Sequence, residues 1–191
     1  WRDVAAALSA RVDLDDSSLS PLKLRYLRAC FPFLASAGEE DSPGSLSSYI
    51  RDTGNEYGVT TGRPRRCGYL DLVALRYAVA ANSIDRLVLT HLDVYDELEE
   101  FEACVAYRIR GKLVEDFPAS IRDLEEAEPV LRRFSGWKEC IADRTSFDEL
   151  PRKARDYVAF IEEYVETPIS IISVGSDRRQ TIVRESPWTR S

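Results

Sequence analysis

Three arginines crowd into the stretch GVTTGRPRRCGYLD, residues 58–71, of a chain whose formal net charge is -7. Arg63 and Arg65 lie two positions apart, so in an extended loop their side chains point the same way and both guanidinium groups can reach one anion. Thr60 and Thr61 add hydroxyl donors, and the neighbouring glycines let the backbone approach a ligand closely. This pattern suits a carboxylate or a phosphate.

Two other interpretations of this stretch stay open on the residues alone. A short run of arginines is often no more than a solvated basic loop. It can also contact nucleic acid, but the flanks add no further basic residues and the whole chain is acidic. Because binding along a nucleic-acid backbone needs an extended basic surface, we expect no nucleic-acid partner.

A second motif, LTHLD at residues 89–93, places Asp93 just after a short apolar run of strand type. A carboxylate there can accept two hydrogen bonds, from the N1–H and 2-amino groups of guanine, which adenine cannot supply. The competing interpretation is an aspartate that caps the next helix. His91 is the only histidine of the chain, and a lone histidine is more often a surface or packing residue than a ligand.

The third motif, SVGSD at residues 173–177, ends another apolar run. Ser173 and the backbone N–H groups around Gly175 could meet a nucleobase carbonyl such as guanine O6. Taken alone, the same residues describe an ordinary turn.

The elements that must position these motifs are helices and strands in mixed order, which predicts an α/β fold. The segment 69–82 is apolar almost all round, as in a buried helix. The segment 151–165 has Pro151 in its first turn and apolar residues on one face, as in an amphipathic helix. Strands are expected at 86–90, at 103–110 before a turn at Gly111, at 168–175 and at 180–184, with an irregular region through FSGWKEC.

The first 50 residues carry no motif. An amphipathic stretch runs from Pro21 to about Phe33, and the polar, turn-forming AGEEDSPGSLSS at 37–48 predicts a surface loop. The chain begins at Trp1 and contains no methionine. We therefore expect it to be a piece of a larger protein.

The composition is that of a globular domain, with 44% hydrophobic and 31% charged residues in a chain of 191. No apolar run approaches the roughly 18 residues that span a bilayer, so we expect no membrane partner and a cytoplasmic location. The four cysteines lack the spacing of zinc ligands and are expected to be free thiols. They are Cys30, Cys67, Cys104 and Cys140.

Four collinear blocks of this chain resemble the C-terminal part of adenylosuccinate synthetases, over about residues 50–184. The blocks are GNEYGVTTGRPRRCGYLDLVALRYA, LTHLDVYDELEEFEACVAY, GWKE and ELPRKARDYVAFIEEYVETPISIISVGSDRRQTIVR. The resemblance implies an α/β fold, the C-terminal part of a P-loop-like GTP-binding fold with a mixed sheet flanked by helices. It divides the chain into a variable upstream segment, 1–49, and the synthetase part, 50–191.

The resemblance also implies a function, that of a GTP-dependent ligase of AMP biosynthesis that joins IMP and L-aspartate into adenylosuccinate. Mg²⁺ is the implied cofactor, GTP the co-substrate and a homodimer the implied assembly. The family's phosphate loop, Mg²⁺ ligand and catalytic residues precede the part that matches here. We therefore expect no catalytic residue and no metal ligand in this chain, and no activity from it alone.

The matching positions imply a role for each of the three motifs. The residues implied to bind aspartate and IMP are Val59, Thr60, Thr61, Gly62, Arg63 and Arg65. The residues implied to bind GTP are Arg65, His91, Leu92, Asp93, Ser173, Val174 and Gly175. Two positions depart from the family pattern, since His91 replaces a lysine and Ser176 replaces a proline.

The alternative belongs to a different class of protein, a noncatalytic purine-nucleotide-binding module of the same fold. The departures at His91 and Ser176 suit this alternative. The paired arginines Arg63 and Arg65 do not suit it, because a protein that only binds a nucleotide has no need of a second anion-binding site.

Overall fold

Two mixed β-sheets and the helices packed on them form residues 45–186, the part of the chain that the computed structural model describes. The expected amphipathic stretch at 21–33 lies outside these residues. The helices are α1 (Leu46–Thr53), α2 (Leu72–Asn82), α3 (Ile121–Glu125) and α4 (Arg152–Val165), with 3-10 helices at Leu92–Tyr95 and Phe147–Glu149. The strands are β1 (Leu70–Asp71), β2 (Leu87–Leu89), β3 (Glu100–Ile109), β4 (Lys112–Val114), β5 (Glu128–Ser135), β6 (Ile169–Ser173) and β7 (Thr181–Val183).

The first sheet is built around the long strand β3. This strand pairs in parallel with β1 and antiparallel with β4 and β5. A two-residue turn at Arg110 and Gly111, both with positive φ, joins β3 to β4. The turn expected at Gly111 and the mixed character of the sheet are thus confirmed.

Strand β5 occupies part of the region that we expected to be irregular, so that expectation was wrong. It pairs along nearly the whole of β3, from Ser135 opposite Glu100 to Glu128 opposite Arg108. Most of its side chains are exposed, and two adjacent arginines hide any alternation of apolar and polar residues. Its pairing with β3, more than its own pattern, makes this segment a strand.

The second sheet places two of the predicted motifs at one edge. Its strand order is β2–β6–β7, with β2 and β6 parallel and β6 and β7 antiparallel. Leu89, at the end of β2, lies opposite Ile172, near the end of β6. Because the carboxyl ends of parallel strands meet at one edge, the segments that follow β2 and β6 leave the sheet side by side.

Helix α2 is only partly buried, which corrects the expectation of a buried helix. Leu72, Val73 and Val79 face the core, whereas the side chain of Tyr77 is 55% exposed. The side chain of Asp71 caps the first turn. A helix that is apolar all round but packed on one side leaves an apolar face at the surface of residues 45–186.

Helix α1 begins inside the segment 37–48 that we expected to be a surface loop. Ser45 caps the helix, because its Oγ accepts the N–H of Ser48 at 3.2 Å. A serine-rich stretch can start a helix as readily as it can form a loop. Residues 46–48 are therefore helical, which corrects that part of the expectation.

The hydrophobic core joins α4 to both sheets. One face of α4 is buried through Ala154, Tyr157, Val158, Ile161 and Val165, which confirms the amphipathic helix expected at 151–165. Pro151 stands just before its first turn. The same core includes Phe101 and Ala103 of β3, Ile169 and Ile172 of β6, and Ile182 of β7.

Candidate functional site

The turn after β2 carries the predicted base-reading residues His91, Leu92 and Asp93. His91 adopts the left-handed conformation, with φ 58° and ψ 37°, and the 3-10 helix Leu92–Tyr95 follows it. We call this helix the 92–95 turn. Leu92 and Val94 are buried and anchor the turn in the core, so Asp93 lies between two fixed side chains.

Asp93 Oδ1 is buried and has no hydrogen-bond partner within residues 45–186. A buried polar atom without a partner costs roughly 1–3 kcal/mol, and more for a charged group, so folded proteins rarely leave one. A ligand that donates N–H groups would satisfy this atom. The N1–H and 2-amino groups of guanine are such donors.

A cavity of about 600 Å³ opens beside Asp93. This volume falls within the range of small-molecule sites, roughly 300–1,000 Å³. The lining includes four carboxylates and one lysine, which offer hydrogen-bond acceptors and a cation to a ligand. The lining residues come from α1, from the 92–95 turn and the residues after it, and from the segment after β5; they are Tyr49, Thr53, Asp93, Asp96, Glu97, Lys138, Glu139 and Cys140.

Asp96 fixes one wall of this cavity. Its Oδ1 accepts the Trp137 Nε1–H at 2.7 Å, and its Oδ2 accepts the Ile141 N–H at 3.0 Å. Burial raises the pKa of Asp96 above its ordinary value, and the nearby charge of Asp93 adds to the rise, while both hydrogen bonds act against it. Asp96 thereby ties the 92–95 turn to the segment after β5, a role that was not predicted from sequence.

The turn after β6 carries the other predicted base-contacting residues, Ser173, Val174 and Gly175. The Ser173 hydroxyl donates to the Gly175 carbonyl oxygen at 2.8 Å, which leaves the hydroxyl oxygen as an acceptor. The Val174 N–H donates to the Gln180 carbonyl oxygen at 2.9 Å. Of the backbone donors expected to meet a base, the N–H of Val174 is therefore already bonded within the protein.

Gln180 packs its side-chain amide over Gly175. The amide Nε2 donates to the Ala142 carbonyl oxygen at 3.1 Å, and Oε1 accepts the Asp177 N–H at 2.9 Å. A Cβ atom at position 175 would lie 2.3 Å from Gln180 Oε1, so a larger residue there would have to displace the end of the Gln180 side chain. Gln180 thus holds the turn after β6 in place. No sequence pattern pointed to it, because a glutamine before a short strand has no distinctive spacing.

Residues 58–65, which we call the arginine loop, close into a hairpin-like shape. Tyr57 and Pro64 form an antiparallel bridge at its base, and the Gly58 N–H donates to the Arg63 carbonyl oxygen at 2.8 Å. The tip can meet a ligand without opening this base, because its residues are exposed. They are Val59, Thr60, Thr61 and Gly62.

Glu56 joins the arginine loop to the turn after β2. Its Oε2 accepts a hydrogen bond from Arg65 Nη1 at 3.0 Å, and its Oε1 lies 3.5 Å from His91 Nε2. The structure thus brings together two of the predicted site residues, Arg65 and His91, that are far apart in sequence. Glu56 was not among the predicted residues, although it stands in the first of the four blocks, within GNEYG.

Residues 45–186 contain no group of three or more histidine, cysteine or carboxylate side chains that could hold a metal ion. In the same range, no helix has the length and apolar character needed to cross a membrane. Cys67, Cys104 and Cys140 are free thiols, as expected, and Cys30 lies outside the described residues.

Comparison with known proteins connects this geometry to one family. The family model described as adenylosuccinate synthetase matches residues 32–182, a range that begins upstream of the four blocks. Among curated relatives, an adenylosuccinate synthetase of Caldanaerobacter subterraneus subsp. tengcongensis is 49% identical over 138 residues, 72% of this chain and 32% of that protein. The corresponding protein of Aquifex aeolicus is 46% identical over 149 residues, 78% of this chain and 34% of that protein.

A solved structure agrees with the sequence relatives. The fully ligated adenylosuccinate synthetase of Plasmodium falciparum superposes with a TM-score of 0.69 at 46% identity, covering 73% of this chain and 34% of that one. This likeness confirms the α/β fold with mixed sheets flanked by helices, although residues 45–186 contain two such sheets where one was expected. The chain spans about a third of the length of the relatives it matches.

Proposed function

Because this chain belongs to the adenylosuccinate synthetase family, we propose that it forms the aspartate- and guanine-binding part of a longer GTP-dependent ligase. That ligase joins IMP and L-aspartate into adenylosuccinate. The observation that carries the proposal is the buried Asp93 Oδ1, which has no partner within residues 45–186 and lies beside a cavity of ligand size. A donating ligand such as guanine would satisfy this atom, which supports the proposal.

The guanine base is read by the two turns that leave adjacent parallel strands. Asp93 accepts the base's N1–H and 2-amino groups, with His91 and Leu92 flanking the ring. Adenine offers neither donor in that position, so the carboxylate selects GTP over ATP. The neighbouring turn, with Ser173, Val174 and Gly175, lies outside the lining of the cavity beside Asp93. The Ser173 hydroxyl and the Val174 N–H already donate within the protein, so a contact of this turn with guanine O6 requires one of these hydrogen bonds to open or the use of another backbone N–H near Gly175.

The arginine loop binds the dicarboxylate substrate. Arg63 and Arg65 hold the carboxylates of aspartate, because a guanidinium group fixes both the position and the charge of a carboxylate. The exposed tip, Val59 to Gly62, closes over aspartate and excludes water from the reacting centre. Arg63 also contacts IMP, and Arg65 also approaches GTP, which its contact with Glu56 beside His91 supports.

Catalysis and Mg²⁺ binding are assigned to parts of the full-length protein outside residues 45–186. We propose that Mg²⁺ accompanies GTP there, and that the full-length protein is a cytoplasmic homodimer, as the family resemblance implies. On this proposal, residues 50–191 belong to the synthetase part, and the 191-residue chain alone does not turn over substrate.

The direct test is an assay of the full-length protein that contains this chain. IMP, GTP, Mg²⁺ and L-aspartate are mixed with it, and adenylosuccinate formation is followed by the change in absorbance. We expect turnover that depends on all four components. Absence of turnover with GTP binding retained would instead favour the noncatalytic purine-nucleotide-binding module.

A further inference from the structure

Glu56 is the one carboxylate among residues 45–186 that contacts both Arg65 and His91. We propose that Glu56 is a positioning residue that couples the arginine loop to the 92–95 turn through His91, the residue that precedes this turn. A ligand bound at the arginine loop then favours binding of a ligand at the 92–95 turn, and the reverse. The identity of the two ligands, aspartate and a guanine nucleotide, rests on the proposed function. The coupling of the two segments rests on the contacts below.

The side chain of Glu56 lies between the Arg65 guanidinium and the His91 imidazole at a partly buried position. It is 26% exposed, whereas the side chains of Arg65 and His91 are 57% and 48% exposed. Because both partners are about half exposed, each contact adds little to stability and acts mainly by orienting the carboxylate.

The backbone of Glu56 is fixed by the same group of residues. Its carbonyl oxygen accepts the Arg65 N–H at 2.9 Å, and its own N–H donates to the Arg51 carbonyl oxygen at 2.8 Å. Arg51 is buried, and its Nε donates to the Arg65 carbonyl oxygen at 2.6 Å. The Glu56 carboxylate therefore projects from a rigid base, and a shift of Arg65 is transmitted to it directly.

The 92–95 turn rests on the same base from the other side. A Cβ atom at Gly54 would lie 3.3 Å from Val94 Cγ2, so the end of α1 packs closely on the turn. His91, at φ 58°, is held in a conformation that few side chains adopt. The His91 Nε2 lies 3.5 Å from Glu56 Oε1.

Arg65 keeps the capacity to bind a ligand while it contacts Glu56. The hydrogen bond to the carboxylate uses one guanidinium nitrogen, Nη1, and a guanidinium has five N–H donors in a fixed planar fork. The remaining donors can meet a carboxylate in a paired geometry. Glu56 thus orients the guanidinium and leaves the face that binds substrate open.

The binding test uses Glu56→Gln in the full-length protein, a change that keeps the shape of the side chain and removes its charge. The Kd of GDP is measured by calorimetry with and without saturating L-aspartate and IMP. In the parent protein we expect these ligands to tighten GDP binding about fivefold or more. In Glu56→Gln, L-aspartate and IMP should leave the Kd of GDP nearly unchanged. The matched control is Glu163→Gln, an exposed glutamate on α4, which should keep the parent's factor.

A second measurement needs no ligand. Hydrogen exchange of peptides covering 57–66 and 91–95 should become several-fold faster in both segments of Glu56→Gln and stay unchanged in Glu163→Gln. Unchanged exchange in Glu56→Gln, or faster exchange in one segment alone, would overturn the coupling. The coupling would also be overturned if L-aspartate and IMP tightened GDP binding as much in Glu56→Gln as in the parent protein. If the parent protein makes no adenylosuccinate, the proposed function fails, while hydrogen exchange still decides whether Glu56 couples the two segments.

Discussion

On the proposed function, selectivity for the guanine base depends on Asp93. In Asp93→Asn an N–H₂ group replaces one acceptor oxygen, so one hydrogen bond from guanine is lost and two donors face each other. Hydrogen bonds to a charged group contribute about 1.5–3 kcal/mol each, so the KM for GTP should rise roughly 10- to 100-fold. Steady-state assays of the full-length protein with GTP and with inosine triphosphate, which lacks the 2-amino group, measure this effect.

The comparison of GTP with inosine triphosphate tests the hydrogen bond between Asp93 and the 2-amino group of guanine. The parent protein should prefer GTP to inosine triphosphate, and Asp93→Asn should lose most of that preference. Asp148→Asn, at an exposed aspartate, provides the control with the same change of charge. An unchanged preference in Asp93→Asn would remove Asp93 from the base pocket.

Arg65 is the arginine of the loop that contacts Glu56, with Nη1 at 3.0 Å from Oε2. In Arg65→Leu the carboxylate of aspartate loses a charged donor pair, so the KM for aspartate should rise roughly 10- to 100-fold, or kcat should fall, with the KM for IMP changing less. Initial rates at varied aspartate measure this. Arg152→Leu, at an arginine whose side chain is 87% exposed, should behave like the parent. Normal kinetics in Arg65→Leu would place the loop outside the active site.

At the scale of elements, Asp96 holds the 92–95 turn against the segment after β5. Asp96→Asn replaces one oxygen with an N–H₂ group that cannot accept the N–H of Trp137 or Ile141. The free energy of unfolding should therefore fall by about 1–3 kcal/mol at neutral pH. Urea unfolding of the full-length protein, followed by tryptophan fluorescence, measures this loss.

The raised pKa of Asp96 also predicts the sign of a pH dependence. The folded state holds the Asp96 proton more tightly than the unfolded state, so this group's contribution to stability is full below its ordinary pKa of 3.8. It is lost as pH rises through the raised value. The stability of the parent should therefore fall with rising pH more steeply in this window than that of Asp96→Asn. An equal change of stability with pH in the parent and in Asp96→Asn would contradict a raised pKa of Asp96.

The turn after β6 depends on the fit of Gly175 beneath Gln180. In Gly175→Ala the new methyl group displaces the Gln180 amide and its bonds to Ala142 and Asp177, so the KM for GTP should rise several-fold with a smaller change in kcat. In the double variant Gly175→Ala/Gln180→Ala the new methyl group no longer meets the Gln180 amide. The KM for GTP should therefore rise by less than the product of the two single-variant increases. Strict additivity of the two effects would show that the amide does not confine position 175.

At the scale of the whole molecule, the aromatic core connects the 92–95 turn to the rest of the fold. The ring centroids of Tyr95, at the end of the 92–95 turn, and Phe101, on β3, lie 4.4 Å apart, and Phe101 is 2% exposed. Phe101→Ala should lower the free energy of unfolding by about 3–5 kcal/mol. Chemical denaturation followed by circular dichroism measures it. Leu113→Ala, at a side chain that is 57% exposed, should change stability far less, and equal losses would contradict the role of Phe101.

Helices and strands whose apolar residues recur at a regular spacing could be predicted from sequence. Helix α4 and strands β2, β6 and β7 follow their patterns within a few residues. Strand β5 could not be predicted, because its exposed, arginine-containing face carries no alternation and its pairing with β3 is a long-range contact. The burial of α2 was overestimated, because periodicity reports which residues are apolar and not which of them find a packing partner.

The sequence by itself determined which chemical groups are available: the arginines at 63 and 65, the carboxylate at 93, the glycine at 175 and the order of four blocks that resemble one family. Only the tertiary structure decided how these groups meet. The parallel pairing of β2 with β6 sets two turns side by side, Glu56 reaches both Arg65 and His91, and Asp93 Oδ1 loses its access to water. The strand pairing and the contact of Glu56 with His91 join segments distant in the chain, which no local pattern of residues encodes.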